Sequence, residues 1–147
     1  MQKPKLTGGL IVFIVWAAIT GVNGFRSLGS VEDQGKWAMT DHPSLQGAVL
    51  IFQSVSGAGL LALMFTVWLV YHREPGTLKR AQTSLLISGL LRFIGIWTIV
   101  LFGGLPAQML QRMMPQIGFA SGVILFFTGG WYYYFLRSKK VREIYAG

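Results

Sequence analysis

Residues 81–103 read AQTSLLISGLLRFIGIWTIVLFG, an apolar run interrupted by a single charge, Arg92. A hydrocarbon core about 30 Å thick requires about 20 residues of helix to cross it, so the run is long enough to span a membrane. Because no water satisfies backbone groups inside the bilayer, a spanning segment of this kind must be helical. The stretch therefore predicts a membrane protein.

Three further apolar runs have the same character. Together with the first they predict transmembrane helices at about 6–25, 44–71, 78–103 and 115–136. The remaining segments are predicted outer loops at about 26–43 and 104–114 and a tail at 137–147. The second loop has the spacing of a short surface helix. We find no repeat and no second domain, so we predict one membrane domain, 1–147, an all-α four-transmembrane-helix bundle.

Composition excludes several other classes of protein. Of the 147 residues, 52% are hydrophobic and only 12% are charged, and the mean hydropathy is +0.51. A chain this apolar is not disordered, and a soluble domain carries about twice as many charges. The absence of cysteine excludes a disulfide scaffold and an iron–sulfur site.

The chain has a net charge of +8, and its basic residues are divided unequally between the two predicted sides of the membrane. Nine basic residues lie at the termini or in the turn between spans two and three: Lys3, Lys5, Arg73, Lys79, Arg80, Arg137, Lys139, Lys140 and Arg142. Three lie on the other side: Arg26, Lys36 and Arg112. Basic residues concentrate on the cytoplasmic side, so we predict that both termini are cytoplasmic (N-in, C-in). Charges placed between apolar runs do not form a nucleic-acid surface.

Small residues at helical spacing form candidate packing stripes, since helices in lipid associate through close contact of such residues. They are Ala17, Gly21 and Gly24 on span one, Ser54, Ala58, Ala62 and Thr66 on span two, Ser84, Ser88 and Gly95 on span three, and Gly118, Gly122 and Gly129 on span four. Two interpretations remain open for span four: an interface within the bundle, or the seam of a homodimer.

Arg92 is the one charge inside a predicted span, about 15 Å deep. A charge at this depth requires partners or water. The candidate partners on other spans are Gln53, Ser54, Ser56, Ser121 and Thr128, with Ser88 and Thr98 on the same helix. Three roles remain open: satisfaction within the bundle, binding of an anionic group, and snorkelling. We select Arg92, Gln53, Ser54, Ser88 and Ser121 as the candidate binding residues.

The spans contain no Asp or Glu, and the chain has no catalytic motif of a serine hydrolase, zinc protease or phosphate-binding loop. The two histidines lie at opposite membrane faces, which argues against paired haem ligation. We therefore predict no catalytic residues, no metal, no cofactor and no enzymatic activity.

The chain ends in an aromatic belt followed by basic residues. Trp131, Tyr132 and Tyr134 are the predicted interface residues of the helix end, and Arg137, Lys139 and Lys140 are the basic residues placed to contact lipid. The alternative is that these basic residues only set the orientation of the helix in the membrane. The segment 141–145 is a candidate for docking on the cytoplasmic side of the bundle.

This ending resembles that of a family of small four-span bacterial inner-membrane proteins known only as a domain of unknown function. The matching residues are Tyr134, Phe135, Ser138, Lys139, Lys140, Val141 and Tyr145. Gly8-Gly9 is similar to the family's opening of span one, although Leu10 replaces a frequent Trp. The resemblance implies a bacterial inner-membrane location and supplies no activity.

We interpret the chain as a non-enzymatic accessory, assembly or stabilising subunit of a membrane complex. Its expected partners are membrane lipids and either another protein or a second copy within the membrane. The alternative is a small transporter or channel-like protein in which Arg92 binds an anionic substrate.

Overall fold

The computed structural model describes residues 4–41 and 43–146, with only the backbone for 31–41. Within these residues the helices are α1 (Gly8–Asp41), α2 (Pro43–His72), α3 (Leu78–Phe102), α4 (Ala107–Arg137) and α5 (Lys139–Tyr145). The first four contain stretches long and apolar enough to cross a membrane, and that of α1 is Gly8–Ser30. The predicted all-α, four-span fold is confirmed. Lys3 and the side chain of Lys36, both used in the charge argument, lie outside the described part.

The prediction of an outer loop at 26–43 is wrong, because the backbone of α1 is helical as far as Asp41. No proline interrupts the chain between Pro4 and Pro43. The glycines in this stretch weaken a helix by about 1 kcal/mol each but do not end it. From Ser30 to Asp41 the helix therefore continues about 16 Å past its apolar stretch.

The fourth span is also longer than predicted, because α4 begins at Ala107 and contains Pro115 in its interior. Residues of the predicted outer segment, 104–114, and of the predicted span, 115–136, therefore belong to one helix. A proline removes one backbone donor and commonly kinks a helix. Here helix forms on both sides of that single interruption, so the two predicted elements are one.

Two turns connect the antiparallel helices α2, α3 and α4. Between α2 and α3 the backbone adopts positive φ at Arg73 (52°) and at Gly76 (77°). The Thr77 hydroxyl donates to the Glu74 carbonyl at 2.7 Å, which ties the turn to the start of α3. Between α3 and α4, Gly104 has a φ of 62°, a conformation that glycine adopts without steric penalty.

The α2–α3 pair forms the most extensive contact in the bundle, while α1 packs on α2 and α4 packs on α3. Glycines allow these approaches. A Cβ at Gly59 would lie 3.0 Å from the Ser88 carbonyl oxygen, and a Cβ at Gly95 would overlap Ser56. On α1, Gly24 gives room to Leu60 in the same way. Close contact at small residues holds the helices together, as expected in lipid.

The small-residue stripes that the sequence suggested pack the bundle only in part. Gly24 of α1 and Gly95 of α3 lie at helix contacts, whereas the glycines of the α4 stripe do not. A Cβ at Gly118, Gly122 or Gly129 would meet nothing within 4 Å, so these glycines do not form an interface within the chain. Ser54 and Ala58 are exposed. The reason is rotational: spacing places small residues on a common face, but it does not specify which face turns inward.

Aromatic rings join α1 to α4 in the half of the bundle near the chain ends. Phe13 lies edge-on to Phe135, with ring centroids 4.9 Å apart, and to Trp131 at 5.2 Å. Trp16 stacks on Phe127 at 5.5 Å. We call this group the aromatic seam.

The tail folds back as α5 and docks on the bundle, as the sequence suggested for 141–145. Val141 and Tyr145 are buried. The Tyr145 hydroxyl donates to the Val70 carbonyl at 2.6 Å, and the Gly76 N–H donates to the Tyr145 carbonyl at 3.1 Å. Because Arg73 also donates to the Pro4 carbonyl at 2.6 Å, the described chain ends and the α2–α3 turn lie at the same end of the bundle.

Candidate functional site

Arg92 lies deep within the bundle on α3, the helix whose apolar run identified the fold. It is about 21 Å along the axis from Leu78 and about 15 Å from Phe102. Its side chain is only 8% exposed. Gly59 makes this position accessible to an arginine, since a Cβ there would lie 2.8 Å from Arg92 Cγ. The arginine stem therefore occupies space left by the missing side chain.

The guanidinium group makes few hydrogen bonds to the described chain. Its Nε donates to the Ser88 carbonyl of the same helix at 3.4 Å, a long hydrogen bond. Its Nη2 is buried and makes no hydrogen bond to any described residue. The apolar spans supply no carboxylate, because their sequences contain no Asp or Glu. A buried cation is thus left without a described counter-charge.

Several buried hydroxyls in the bundle share this lack of partners. Those of Ser56, Ser88, Ser121 and Thr128 make no hydrogen bond within the described chain. Ser56 packs against Gly95, and Thr128 packs against Gly89. In a helix a hydroxyl can donate to the carbonyl one turn earlier, as Thr98 does to Ile94 at 3.0 Å. Of the four residues, only Ser56 lines the cavity that reaches Arg92.

A partly open cavity of about 180 Å³ reaches Arg92. It is lined by all four long helices: Thr20, Gly24, Ser27 and Leu28 of α1, Phe52, Ser56 and Leu60 of α2, Arg92 and Ile96 of α3, and Ile124 of α4. The aromatic seam reaches Trp16 and Phe127, and the cavity begins about one turn beyond it, at Thr20 and Ile124. It therefore lies between α1 and α4, past their last ring contact. We call it the Arg92 cavity.

The other predicted binding residues have different surroundings. Gln53 donates from Nε2 to the Leu28 carbonyl at 3.0 Å, which ties α2 to α1 instead of reaching Arg92. Ser54 is exposed and does not line the cavity. Ser88 contacts the guanidinium only through its carbonyl oxygen. Ser121 is buried, with its hydroxyl unpaired.

The sequence analysis missed the contribution of α1 to this cavity. Thr20 and Ser27 bring hydroxyl groups to it, with Gly24 between them. The signal was present as a spacing of four and then three residues, which places all three on one helical face. This spacing does not specify which face of α1 turns toward α2, α3 and α4, so the sequence alone does not assign these hydroxyls to the cavity.

The predicted interface residues of α4 divide into two groups. Trp131 is half-buried and belongs to the aromatic seam, and its ring nitrogen is buried without a partner among the described residues. Tyr132 is half-buried, and the Tyr134 hydroxyl lies 3.3 Å from that of Thr7. The basic residues of this group, Arg137, Lys139 and Lys140, are exposed at the end of the bundle that carries the chain ends.

Comparison with protein-family models, with curated proteins and with solved structures gives no match to this chain. The resemblance of the C-terminal tail to a family of unknown function therefore stays a prediction. Among the described side chains, no group of three or more His, Cys, Asp or Glu is placed to hold a metal ion.

Proposed function

We propose that this multi-pass membrane protein is an accessory or assembly subunit, and that the Arg92 cavity receives a carboxylate from a transmembrane helix of a partner protein. The observation that carries the proposal is the buried Arg92 Nη2, which makes no hydrogen bond to the described chain. Estimates for a lone charge at the bilayer centre begin at about 3 kcal/mol and extend well above 10. A binding event that neutralises the charge would recover much of this free energy.

The identity of the missing group follows from the chemistry of arginine. A guanidinium forms its strongest contacts with carboxylates or phosphates, through parallel charge-assisted hydrogen bonds. A phosphate headgroup belongs at the membrane surface, whereas Arg92 lies deep in α3. A carboxylate on another transmembrane helix would lie at the required depth. A second copy of this chain could not supply it from its spans, because they contain no Asp or Glu, so the proposal favours a different protein.

Reciprocal variants test the proposed pair. Arg92→Leu should abolish co-purification of the partner after mild detergent extraction, while Arg92→Lys, which keeps the charge, should retain part of it. The partner, identified by mass spectrometry, should carry an Asp or Glu within a span. Changing that residue to Leu should abolish binding in the wild type and restore it with Arg92→Leu, because neither side then buries an unpaired charge.

Site-specific crosslinking tests the location of the contact. A photoreactive residue at Ile124, which lines the Arg92 cavity, should capture the partner, and one at the exposed Phe119 of α4 should capture much less. Equal capture from the two positions would contradict docking at the cavity. A stoichiometric partner without an intramembrane carboxylate would contradict the proposed chemistry.

Transport of a small anion is the second candidate function. The hydroxyls of Thr20 and Ser56, which line the cavity with Arg92, favour it because they could replace part of an anion's hydration. The Ser27 hydroxyl already donates to the Asn23 carbonyl at 2.8 Å. Uptake of acetate or phosphate into proteoliposomes containing the pure protein would then depend on Arg92 and disappear in Arg92→Ala. Uptake no greater than in protein-free vesicles for both anions would argue against this function.

We infer from the nine-to-three distribution of basic residues that both chain ends face the cytoplasm of a bacterial inner membrane. The placement of the described ends and the α2–α3 turn at one end of the bundle supports a common side. A reporter that fluoresces only in the cytoplasm should be active when fused to the C-terminus. A periplasmic phosphatase reporter at the same position should be inactive.

A further inference from the structure

A second concavity lies on the outer surface of the α2–α3 pair, near the end that carries the α2–α3 turn. Its volume is about 630 Å³. It is lined by Leu61, Ala62 and Phe65 of α2 and by Lys79, Arg80, Thr83, Ser84 and Ile87 of α3. It shares no residue with the Arg92 cavity. We call it the basic-lipped groove.

The floor of the groove is shallow and has little free hydrogen-bonding capacity. Ala62 leaves space because its side chain is small. The Ser84 hydroxyl donates to the Ala62 carbonyl at 2.8 Å and lies 2.8 Å from the Thr66 hydroxyl, which donates to it. Since these polar groups are already paired within the chain, the floor attracts an apolar occupant more than water.

The walls of the groove are apolar and its upper lip is basic. Leu61 and Phe65 are 62% and 50% exposed, and Ile87 is 46% exposed, which leaves a continuous apolar surface uncovered by the chain. Lys79 and Arg80 are exposed above this surface. From Ile87 to Arg80 the groove extends about 10 Å along α3.

The basic lip lies at the depth of a membrane interface. Trp68, which stacks on Phe65 at 5.8 Å, is half-exposed near the end of α2, and tryptophan is enriched at the headgroup level. Lys79 and Arg80 belong to the first turn of α3. Cations at a helix N-terminus are disfavoured by the helix dipole, so an anion between them would relieve both the mutual repulsion and the unfavourable dipole interaction.

We propose that the basic-lipped groove binds one anionic glycerophospholipid. Its phosphate lies between Lys79 and Arg80, and an acyl chain lies along Leu61, Phe65 and Ile87. A lipid matches both features of the groove, an apolar trough and two positive charges at its upper end. A free phosphate would use only the lip, and a zwitterionic lipid would gain less from the two charges.

Lipid titration followed by native mass spectrometry of the delipidated full chain tests the site. With phosphatidylglycerol as the probe, Lys79→Gln/Arg80→Gln should weaken binding of the first lipid about 30-fold, since each basic side chain near an anionic headgroup contributes about 1 kcal/mol. The matched control is Lys5→Gln/Arg142→Gln, which removes the same two residue types from exposed positions at the same end. It should change affinity less than threefold.

A second variant tests the apolar part of the groove without changing the charge. Thr83 is exposed on the groove wall, so Thr83→Trp should obstruct the trough and weaken phosphatidylglycerol binding about tenfold. Inorganic phosphate should compete poorly, and phosphatidylcholine should bind more weakly than phosphatidylglycerol. Equal losses in the two double-charge variants, or unchanged binding in Thr83→Trp, would overturn the proposal. Neutralising Lys79 and Arg80 removes an unfavourable dipole interaction, so these variants are expected to fold.

Discussion

Arg92 is an energetically unfavourable residue for the isolated chain. Its Nη2 lacks a partner among the described residues, and its Nε forms only a long bond to Ser88. Replacing a poorly paired buried charge by an apolar side chain is often neutral or stabilising. We therefore expect Arg92→Leu to raise the free energy of unfolding in detergent by about 1–3 kcal/mol, measured by denaturant titration, while complex formation is lost.

The control for this prediction is Arg112→Leu, which removes an arginine from an exposed position of α4. Surface changes of this kind usually alter stability by less than about 0.5 kcal/mol, and the complex should persist. If Arg92→Leu is strongly destabilising, Arg92 is already satisfied in the bundle, and the proposed partner carboxylate is unnecessary.

Substitution of glycine by alanine should have opposite effects on stability at two positions, Gly59 of α2 and Gly122 of α4. At Gly59 a Cβ would lie 2.8 Å from Arg92 Cγ and 3.0 Å from a backbone oxygen, and the backbone cannot yield easily. Gly59→Ala should therefore destabilise the bundle by about 1–3 kcal/mol through overpacking. At Gly122 a Cβ would meet nothing, so Gly122→Ala should be neutral or stabilising by up to about 1 kcal/mol through helix propensity.

Denaturant titration of the two glycine variants in the same detergent distinguishes these effects. A loss of stability in Gly122→Ala that depends on protein concentration would instead indicate that α4 meets a second copy of the chain. That result would favour the homodimer seam over an unpartnered surface.

At the level of single residues, the sequence revealed Arg92 but not its surroundings. One arginine in an apolar run is visible without a structure, because an ionisable residue within a span is rare and unfavourable unless it is paired or hydrated. Thr20 and Ser27 are different, since their relevance depends on which face of α1 turns toward α4. Gln53 illustrates the same limit: its amide satisfies a carbonyl of α1 instead of the guanidinium.

At the level of helices, α2 and α3 were predicted closely and α1 and α4 were not. The predicted spans 44–71 and 78–103 nearly match Pro43–His72 and Leu78–Phe102. The reason is that the short polar turn between them ends the apolar run and the helix at the same place. In α1 and α4 the helix continues after the apolar run ends. Hydropathy reports the depth of a segment in the bilayer, whereas helix termination depends on local backbone chemistry.

The docking of α5 should depend on pH through Tyr145. Burial of its ring raises the pKa of Tyr145 from 10.0 to about 12, against a smaller lowering of the pKa by the Arg73 charge. Because the neutral hydroxyl donates to Val70, the docked state holds its proton more tightly than the undocked state. Its contribution to docking is fully present below pH 10, the unfolded value, and is lost as pH rises through about 12.

A difference titration measures this pKa directly. Tyrosinate absorbance of the wild type minus that of Tyr145→Phe should rise with a midpoint near 12. In Tyr145→Phe the hydrogen bond to Val70 is absent, so the docking of α5 should be weaker at neutral pH by about 1 kcal/mol. A midpoint at the ordinary tyrosine value would contradict the burial of this ring.

At the scale of the molecule, the two sides of the α2–α3 pair carry different concavities. One side contributes Ser56 and Arg92 to the cavity that α1 and α4 border, and the other bears the basic-lipped groove. The two proposals are therefore separable by mutation. Lys79→Gln/Arg80→Gln should leave the partner bound in the native complex, and Arg92→Leu should leave binding of the first phosphatidylglycerol unchanged.

The aromatic seam should contribute to the stability of the whole bundle, because it provides the ring contacts between α1 and α4. Lipid is as apolar as the core, so the seam contributes through ring packing more than through removal of surface from water. Phe13 is fully buried against Trp131 and Phe135, and each such pair contributes about 0.5–1.5 kcal/mol. Phe13→Leu should therefore lower the free energy of unfolding in micelles by about 1–3 kcal/mol. Phe119→Leu changes a ring that is 76% exposed and should have little effect; equal losses would mean that the seam does not hold α1 and α4 together.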